Sequence, residues 1–195
     1  MMKYNYFLIT IFWIFLSCES KNPIDVKQIN SQEVVTLLSN QKNDSIAICL
    51  PLEFEMTINS NKVKYITWNY YVNNKKPSLD DFFDYHLYDK KNKIKPIHEL
   101  NFDLGENNKF IYLILKERKH FISKVEAQKL LKKYNIKKSL DSLKLTDTIK
   151  LISYDKFRKE NNLIINDFNK INDSIIFKVT RGEKYFFYLD KKINW

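Results

Sequence analysis

Residues 46–58 carry the pattern that most restricts what this chain can fold into. Apolar side chains alternate with other residues over these thirteen positions: Ile46, Ile48, Leu50, Leu52, Phe54, Met56 and Ile58. A period of two is that of a β-strand with one face in a core. Pro51 lies within the run and has no backbone N–H, so the strand is expected at a sheet edge or with a bulge at that position.

Further strands are predicted on both sides of the middle of the chain. Residues 62–72 are rich in Tyr, Trp and Val, and we expect them to pair with 46–58 as a long hairpin. Residues 110–115 are apolar on both faces, which is typical of a central strand. Residues 174–180 and 184–190 flank a glycine-containing turn and predict a closing hairpin.

Several segments carry helix-start signals, in which a serine precedes an apolar period of three to four residues. The predicted N-caps are Ser31, Ser78, Ser123 and Ser153. The helix after Ser78 would place His86 and Leu87 on its apolar stripe, and the helix after Ser153 would run towards Phe168. Residues 89–108 are polar and contain a proline and a glycine, so they are predicted as loop.

These elements predict an α+β fold in which an antiparallel sheet of about five strands carries packed helices. Residues 31–195 are long enough for one domain with its own core. The tetrapeptide Asn-Asp-Ser-Ile occurs at residues 43–46 and again at 172–175, each time before predicted strands. Two α-β-β units would explain this repeat, and so would biased composition; both interpretations stay open.

The N-terminal segment resembles the signal peptide of a bacterial lipoprotein. Lys3 precedes eleven residues, 6–16, of which Thr10 is the one non-apolar member. That run is shorter than the roughly 20 residues a membrane-spanning helix needs. Leu16-Ser17-Cys18 then resembles a lipobox, in which the cysteine is acylated and becomes the mature N-terminus. An uncleaved anchor or an N-terminal core helix is the alternative.

The resemblance implies a signal peptide at 1–17 and a lipidated tether at 18–30. Cys18 would carry a diacylglycerol and an N-acyl chain such as palmitate, and two or more chains hold a protein stably in a membrane. The expected location is the bacterial cell envelope, anchored to the outer or inner membrane. The Lys-, Asn- and Ile-rich composition resembles that of Bacteroidota proteins.

Charge and cysteine content limit which binding partners and which disulfides are expected. Residues 106–160 hold fifteen Lys or Arg against seven acidic residues, so this part of the chain could face anionic lipid or an acidic protein. Lysine-rich solvent faces are the simpler reading. With Cys18 acylated, Cys49 has no intramolecular partner and is expected as a buried apolar residue. Nucleic acid is not an expected partner of an envelope protein.

Motifs for the common enzyme classes are missing from the sequence. Two glycines in the whole chain exclude glycine-rich phosphate loops and the G-x-S-x-G nucleophile turn. His98-Glu99 starts like H-E-x-x-H, but Phe102 stands at the second histidine position, so no metal site or cofactor is predicted. Glu53 and Glu55 would lie about 7 Å apart along one strand face, a spacing that overlaps that of inverting glycosidases.

Aromatic side chains in the second predicted strand form the best candidate for a binding surface. They are Tyr65, Trp68, Tyr70 and Tyr71. If one face of that strand is uncovered, these rings could dock a protein partner or stack on sugar rings. If both faces are covered, they belong to the core.

The sequence therefore favours a non-enzymatic, membrane-anchored binding or interaction protein. An immunity or inhibitor protein that neutralises a toxin in the periplasm is one form of this hypothesis. The alternative is an envelope glycan hydrolase that uses Glu53 and Glu55. A third possibility is a structural role, with the basic segment lying on the membrane surface.

Overall fold

The computed structural model describes residues 22–39, 45–76, 85–103, 109–118, 120–144, 147–182 and 185–195. Within these ranges the chain forms thirteen strands and three helices, arranged as three antiparallel sheets. The α+β class is confirmed in its coarse form, because helices pack beside antiparallel sheets. The prediction of about five strands is wrong, since the chain is much richer in strand.

Among the described residues, ten strands precede the first helix. The strands are β1 (Ile24–Ile29), β2 (Val34–Leu38), β3 (Ser45–Cys49), β4 (Leu52–Ile58), β5 (Val63–Tyr71), β6 (Tyr85–Asp89), β7 (Asn92–Ile97), β8 (Leu100–Asn101), β9 (Phe110–Glu117), β10 (Phe121–Ser123), β11 (Thr148–Ser153), β12 (Ser174–Arg181) and β13 (Tyr185–Lys192). The helices are α1 (Lys124–Lys133), α2 (Tyr154–Glu160) and α3 (Asn162–Asn169).

Each sheet combines strands from distant parts of the chain. Sheet A has the order β1-β4-β9-β6-β7, sheet B has β10-β3-β2-β11, and sheet C has β13-β12-β5-β8. Aromatic pairs bridge the inner faces of sheets A and C: the ring centroids of Phe54 and Phe177 lie 6.4 Å apart, and those of Tyr70 and Tyr85 lie 5.6 Å apart. Two helices contact sheet B, α1 through β10 and β3 and α2 through β11 and β2, and α3 packs against α2.

The alternating run at residues 46–58 belongs to two sheets. It breaks at Leu50-Pro51 into β3 of sheet B and β4 of sheet A. Alternation continues across the break, because Ile48, Leu50 and Leu52 all point into one core. The predicted hairpin with 62–72 is wrong: β4 pairs with β1 and β9, and β5 pairs with β12 and β8.

Two segments expected outside the sheets are strands. Ile24–Ile29, placed in the predicted tether, pairs with β4 along its whole length, so the tether prediction does not hold for these residues. The helix predicted after Ser31 is also wrong, because Val34–Leu38 forms β2, with Val35, Leu37 and Leu38 buried. Two α-β-β units are therefore not what the described residues form.

The region around residues 77–101 also differs from the expectation. Most of the helix predicted after Ser78 falls on residues 77–84, which lie outside the described residues. Its predicted end is instead the strand Tyr85–Asp89. The predicted loop at 89–108 holds β7 and β8. Lysines alternate with other residues in β7, and this charged edge strand lacks the apolar signal that would predict it from sequence.

Elements with strong local signals are confirmed. Ser123 is the N-cap of α1, as the capping box predicts: its Oγ accepts a hydrogen bond from the Glu126 backbone N–H at 3.1 Å. Phe110–Glu117 is the central strand of sheet A. The closing hairpin forms as β12 and β13, paired in register from Ser174 to Arg181.

A buried ionic cluster joins the three sheets. His120, between β9 and β10, places Nδ1 2.8 Å from Glu117 Oε1 and Nε2 2.9 Å from Asp173 Oδ2. Asp173 also accepts hydrogen bonds from Trp195 Nε1 at 3.1 Å and from the Asn73 backbone N–H at 2.9 Å. The His120 carbonyl accepts from the backbone N–H of Ile48 at 2.9 Å. The cluster therefore ties the end of β9 to β3, β5 and β12.

The cluster is closed off from solvent by aromatic rings. The rings of Phe168 and Trp195 pack against the imidazole, with centroids 4.8 Å and 4.5 Å from it. Burial alone would lower the pKa of His120, but the negative charges of Glu117 and Asp173 outweigh burial and raise that pKa to about 9. The imidazole is therefore protonated at neutral pH.

Stability should fall as pH rises through 9. The pKa of His120 is raised from 6.5 to about 9 on folding, so its contribution is complete below pH 6.5 and is lost as pH rises through 9. The expected loss is about 3 kcal/mol of unfolding free energy, from roughly 1.4 kcal/mol per pKa unit. Urea denaturation at pH 6, 7.5 and 9.5 measures it.

His120→Gln supplies the control, because other groups also titrate above pH 8. The variant should be less stable than the parent at pH 6 and should differ less from it at pH 9.5. A constant difference between parent and variant over that range would contradict a protonated His120.

Candidate functional site

The four aromatic residues predicted as a binding surface divide between the two faces of β5. Trp68 and Tyr70 point into the core and are buried. Tyr65 and Tyr71 lie on the opposite face and are partly exposed. Side chains alternate along a strand, so these four cannot form one surface. The structure brings Tyr65 and Tyr71 together with residues from the closing hairpin instead.

The outer face of sheet C is the surface that carries Tyr65. In the strand register Tyr65 lies opposite Thr180, and Thr180 lies opposite Phe186. The next row pairs Lys178 with Tyr188. Residues directly opposite in antiparallel strands share a face, with Cβ atoms roughly 5 Å apart. Thr180 is buried although it points outward, because larger side chains stand on both sides of it.

Strand β13 presents two exposed aromatic side chains at the border of this face. Tyr188 is 62% exposed and Phe186 49%, whereas Tyr185, 76% exposed at the start of the strand, lies on the opposite face. The Lys178 ammonium lies 4.2 Å from the centroid of the Phe186 ring, a cation–π contact that holds the ring against the sheet. Large exposed apolar groups in one row mark interaction surfaces more often than isolated ones do.

A groove of about 740 Å³ opens at the turn between β12 and β13. It is lined by Asn61, Lys62, Arg181, Gly182, Tyr185, Phe186 and Phe187. Gly182 has φ +62°, a left-handed conformation that glycine adopts without strain and that closes the turn. The described lining holds two cations and no carboxylate, so this end of the surface is positively charged.

Edge strand β7 of sheet A and edge strand β13 of sheet C differ in their side chains. β7, the edge of sheet A, carries Lys93, Lys95 and Pro96. Lysine and proline at an edge strand are the usual protection against pairing with another chain. The first half of β13, residues 185–189, contains neither lysine nor proline. It is an edge strand whose outward side chains are aromatic.

Glu53 and Glu55 do share one face of β4, as predicted, but Glu53 is buried. Its Oε1 accepts from Ser31 Oγ at 3.0 Å and from the Gln32 backbone N–H at 3.2 Å, and its Oε2 accepts from Lys90 Nζ at 2.6 Å. Both carboxylate oxygens are thus occupied by the β1–β2 connection and the β6–β7 turn. Glu53 therefore holds the β1–β2 connection and the β6–β7 turn against β4.

Glu55 lies further along the same face of β4. It is opposite Lys27 of β1 and Tyr112 of β9. The Tyr112 phenol donates to Glu55, and this hydrogen bond raises the pKa of Tyr112. Glu53 is thus engaged by two connections and Glu55 by a neighbouring strand, and no observation on the described residues supports the hydrolase alternative.

The three histidines divide between a small cavity and the buried cluster. His86 and His98 line a small cavity of about 70 Å³ next to Trp68, and His120 lies in the buried cluster. Within the described ranges no three His, Cys, Asp or Glu side chains are arranged to hold a metal ion. Cys49 is buried, as predicted, and burial, with a smaller effect of Glu117, raises the pKa of its thiol to about 12.

Sequence reasoning missed the exposure of the β13 aromatic residues and the existence of the buried cluster. Phe186 and Tyr188 were part of a predicted hairpin, and their exposure depends on which face the core covers. Asp173 lies in the second Asn-Asp-Ser-Ile segment, which was a visible signal without an assigned role. Asp44 of the first segment, like Cys18, lies outside the described residues.

Comparison with known proteins adds no relationship. The chain matches no protein-family model, no curated protein and no solved structure. Among the described helices, none combines the length and apolar character needed to cross a bilayer.

Substitution of the two glutamates should reveal which of them stabilises the fold. Glu53→Gln replaces a charged acceptor with an amide that presents a donor to Ser31, Gln32 or Lys90, so we expect a loss of about 1–3 kcal/mol in unfolding free energy. Glu55→Gln, on a partly exposed site, should cost below about 1 kcal/mol. Urea denaturation measures both, and equal losses would contradict the anchoring role of Glu53.

Proposed function

We propose that this chain is a lipid-anchored protein of the bacterial cell envelope that binds a protein partner through sheet C. The observation that carries the proposal is the pair of exposed aromatic side chains, Phe186 and Tyr188, on the outer face of edge strand β13, together with the cation–π contact of Lys178 and Phe186. Aromatic anchors dominate the binding energy of protein interfaces. Attachment to the membrane comes from the lipobox resemblance at Cys18.

The surface fits an extended, acidic segment of the partner. A segment added alongside β13 would use the backbone groups that an edge strand leaves unpaired, as in β-strand addition. Its side chains would meet Tyr188 and Phe186 on the outer face. Acidic residues at one end would meet Lys62 and Arg181, which line the groove at the turn. Glu183 and Lys184, outside the described residues, add one charge of each sign.

A binding role without catalysis agrees with the groups that the structure does describe. The carboxylates of Glu53 and Asp173 are occupied by protein donors. Burial raises the pKa of the Cys49 thiol, which disfavours the nucleophilic thiolate. An immunity or inhibitor protein, whose task is to cover a surface of another protein, is the form of this function that such a rigid sheet suits.

Photo-crosslinking in cells tests the partner surface. A photoreactive amino acid at Tyr188 should give one dominant protein adduct, and the same group at Ile94 of the protected edge, which is 87% exposed, should not. The adduct should form through an acidic segment that peptide mapping identifies. Adducts of equal yield from both positions, or none from 188, would contradict the proposal.

Affinity measurements with that partner then test the aromatic anchors. Phe186→Ala together with Tyr188→Ala should weaken binding about 30-fold or more, the effect of losing about 2 kcal/mol at an interface hot spot. Ile94→Ala is the matched control and should leave the affinity unchanged. Binding that survives the double substitution would place the interface elsewhere.

The lipid anchor is tested by metabolic labelling with a fatty-acid analogue. The parent chain should incorporate label and stay with the membrane fraction, because acyl chains on Cys18 supply the attachment. Cys18→Ala should lose both label and membrane association. Label that persists in the variant would remove the lipobox interpretation.

A further inference from the structure

Helix α1 has an outer face that combines an exposed aliphatic tip with lysines. The face consists of residues spaced at i, i+3, i+4 and i+7: Val125, Gln128, Lys129 and Lys132. The opposite face is buried through Ala127, Leu130 and Leu131. The outer face therefore points away from the core, and Val125 on it is 66% exposed.

Leu163 at the start of α3 extends this surface. Lys133 Nζ donates to the Glu160 carbonyl at 2.7 Å and to Asn161 Oδ1 at 2.9 Å, and Asn161 Nδ2 donates to Tyr134 Oη at 2.7 Å. These bonds hold the α2–α3 junction against the end of α1. Leu163, two residues after Asn161, is 82% exposed.

Two shallow grooves connect the aliphatic tips. One, of about 390 Å³, lies between α1 and α3 and includes Lys129 and Leu163 in its lining. The other, of about 540 Å³, includes Lys129 and Val125. Because Lys129 borders both grooves, the tips and the lysine belong to one continuous surface. We call Val125, Lys129, Lys132 and Leu163 the α1 patch.

The charge of α1 and the residues that follow it is strongly positive, while Glu126 and Glu160 also border the groove between α1 and α3. Residues 124–138 contain six lysines and one acidic residue. Lys124 and Lys133 have carboxylate partners, in Asp141 and Glu160. No ion pair to Lys129 or Lys132 is formed by the described part of the chain. Their charges therefore remain available to an external anion.

We propose that the α1 patch lies on the surface of a bilayer that contains anionic lipid. Its lysines would sit among anionic headgroups, and the tips of Val125 and Leu163 would enter the interface. An acidic protein is a poorer fit, because the exposed part of the patch has aliphatic tips separated by lysine and lacks the aromatic or arginine anchors typical of protein hot spots. The proposal rests on the proposed lipid anchor only for bringing the domain close to the membrane.

Fluorescence quenching on the full lipidated chain tests the patch. Leu163→Cys and Ile94→Cys, both highly exposed aliphatic positions near lysines, are each labelled with an environment-sensitive dye. Of the two native cysteines, Cys49 is buried and Cys18 is blocked by the proposed acylation. The chains are reconstituted into vesicles of phosphatidylcholine with or without phosphatidylglycerol, each containing brominated lipid. The dye at 163 should be quenched about twofold more in anionic vesicles than in neutral ones, and the difference should vanish in roughly 0.5 M salt.

Charge reversal supplies a matched control. Lys129→Glu with Lys132→Glu should abolish the extra quenching at 163. Lys91→Glu with Lys95→Glu changes the net charge by the same amount on the exposed β6–β7 hairpin and should not. Equal loss from both pairs, equal quenching in neutral vesicles, or equal quenching at 94 and 163 would overturn the proposal.

The outcomes also separate the patch from the anchor. A chain that floats with vesicles but shows no quenching at 163 overturns the patch alone. A chain that does not float and shows no quenching overturns both. A photo-crosslink from position 163 to a protein in cells, without lipid quenching, would assign the patch to a protein and overturn the lipid contact.

Discussion

One protonated histidine between two buried carboxylates connects the three sheets of this fold. Glu117, His120 and Asp173 come from the junctions of three different sheets, and each carries a charge that burial alone would disfavour. Breaking such a cluster leaves an unpaired charge in the core, which is strongly destabilising. Asp173 immediately precedes β12, the central partner of β13 and β5, so the placement of the aromatic face depends on this cluster.

The break at Pro51 shows how one sequence signal can support two structures. Period-two alternation over residues 46–58 requires a buried face, and the structure buries all seven alternating apolar side chains in one core. The other face of β3 is buried as well, through Ala47 and Cys49. A proline within the run requires the ladder to stop, and the chain meets that requirement by changing sheets instead of bulging at an edge. Alternation reports burial, and it contains no information about which neighbour a strand selects.

What the sequence predicted correctly is local. The capping box of α1 and the hairpin of β12 and β13 depend on residues a few positions apart. The buried cluster could not be predicted, because Glu117 and Asp173 are separated by more than fifty residues and meet only after three sheets assemble. Of the four aromatic residues predicted as a surface, Tyr65 and Tyr71 lie on the outer face of sheet C, whereas Trp68 and Tyr70 are buried in the core. The face that a sheet buries is decided by its neighbours, which the local sequence does not specify.

The charges of β13 favour a different protein over a second copy as the occupant of its edge. If two β13 strands paired antiparallel about their centres, Tyr185 and Phe186 of one copy would face Lys192 and Lys191 of the other. That register puts no carboxylate directly opposite Lys191 or Lys192 of either copy. A partner strand with acidic residues opposite Lys191 and apolar residues opposite Phe186 meets both halves. An edge that is aromatic at one end and basic at the other thus selects for a complementary strand and against itself.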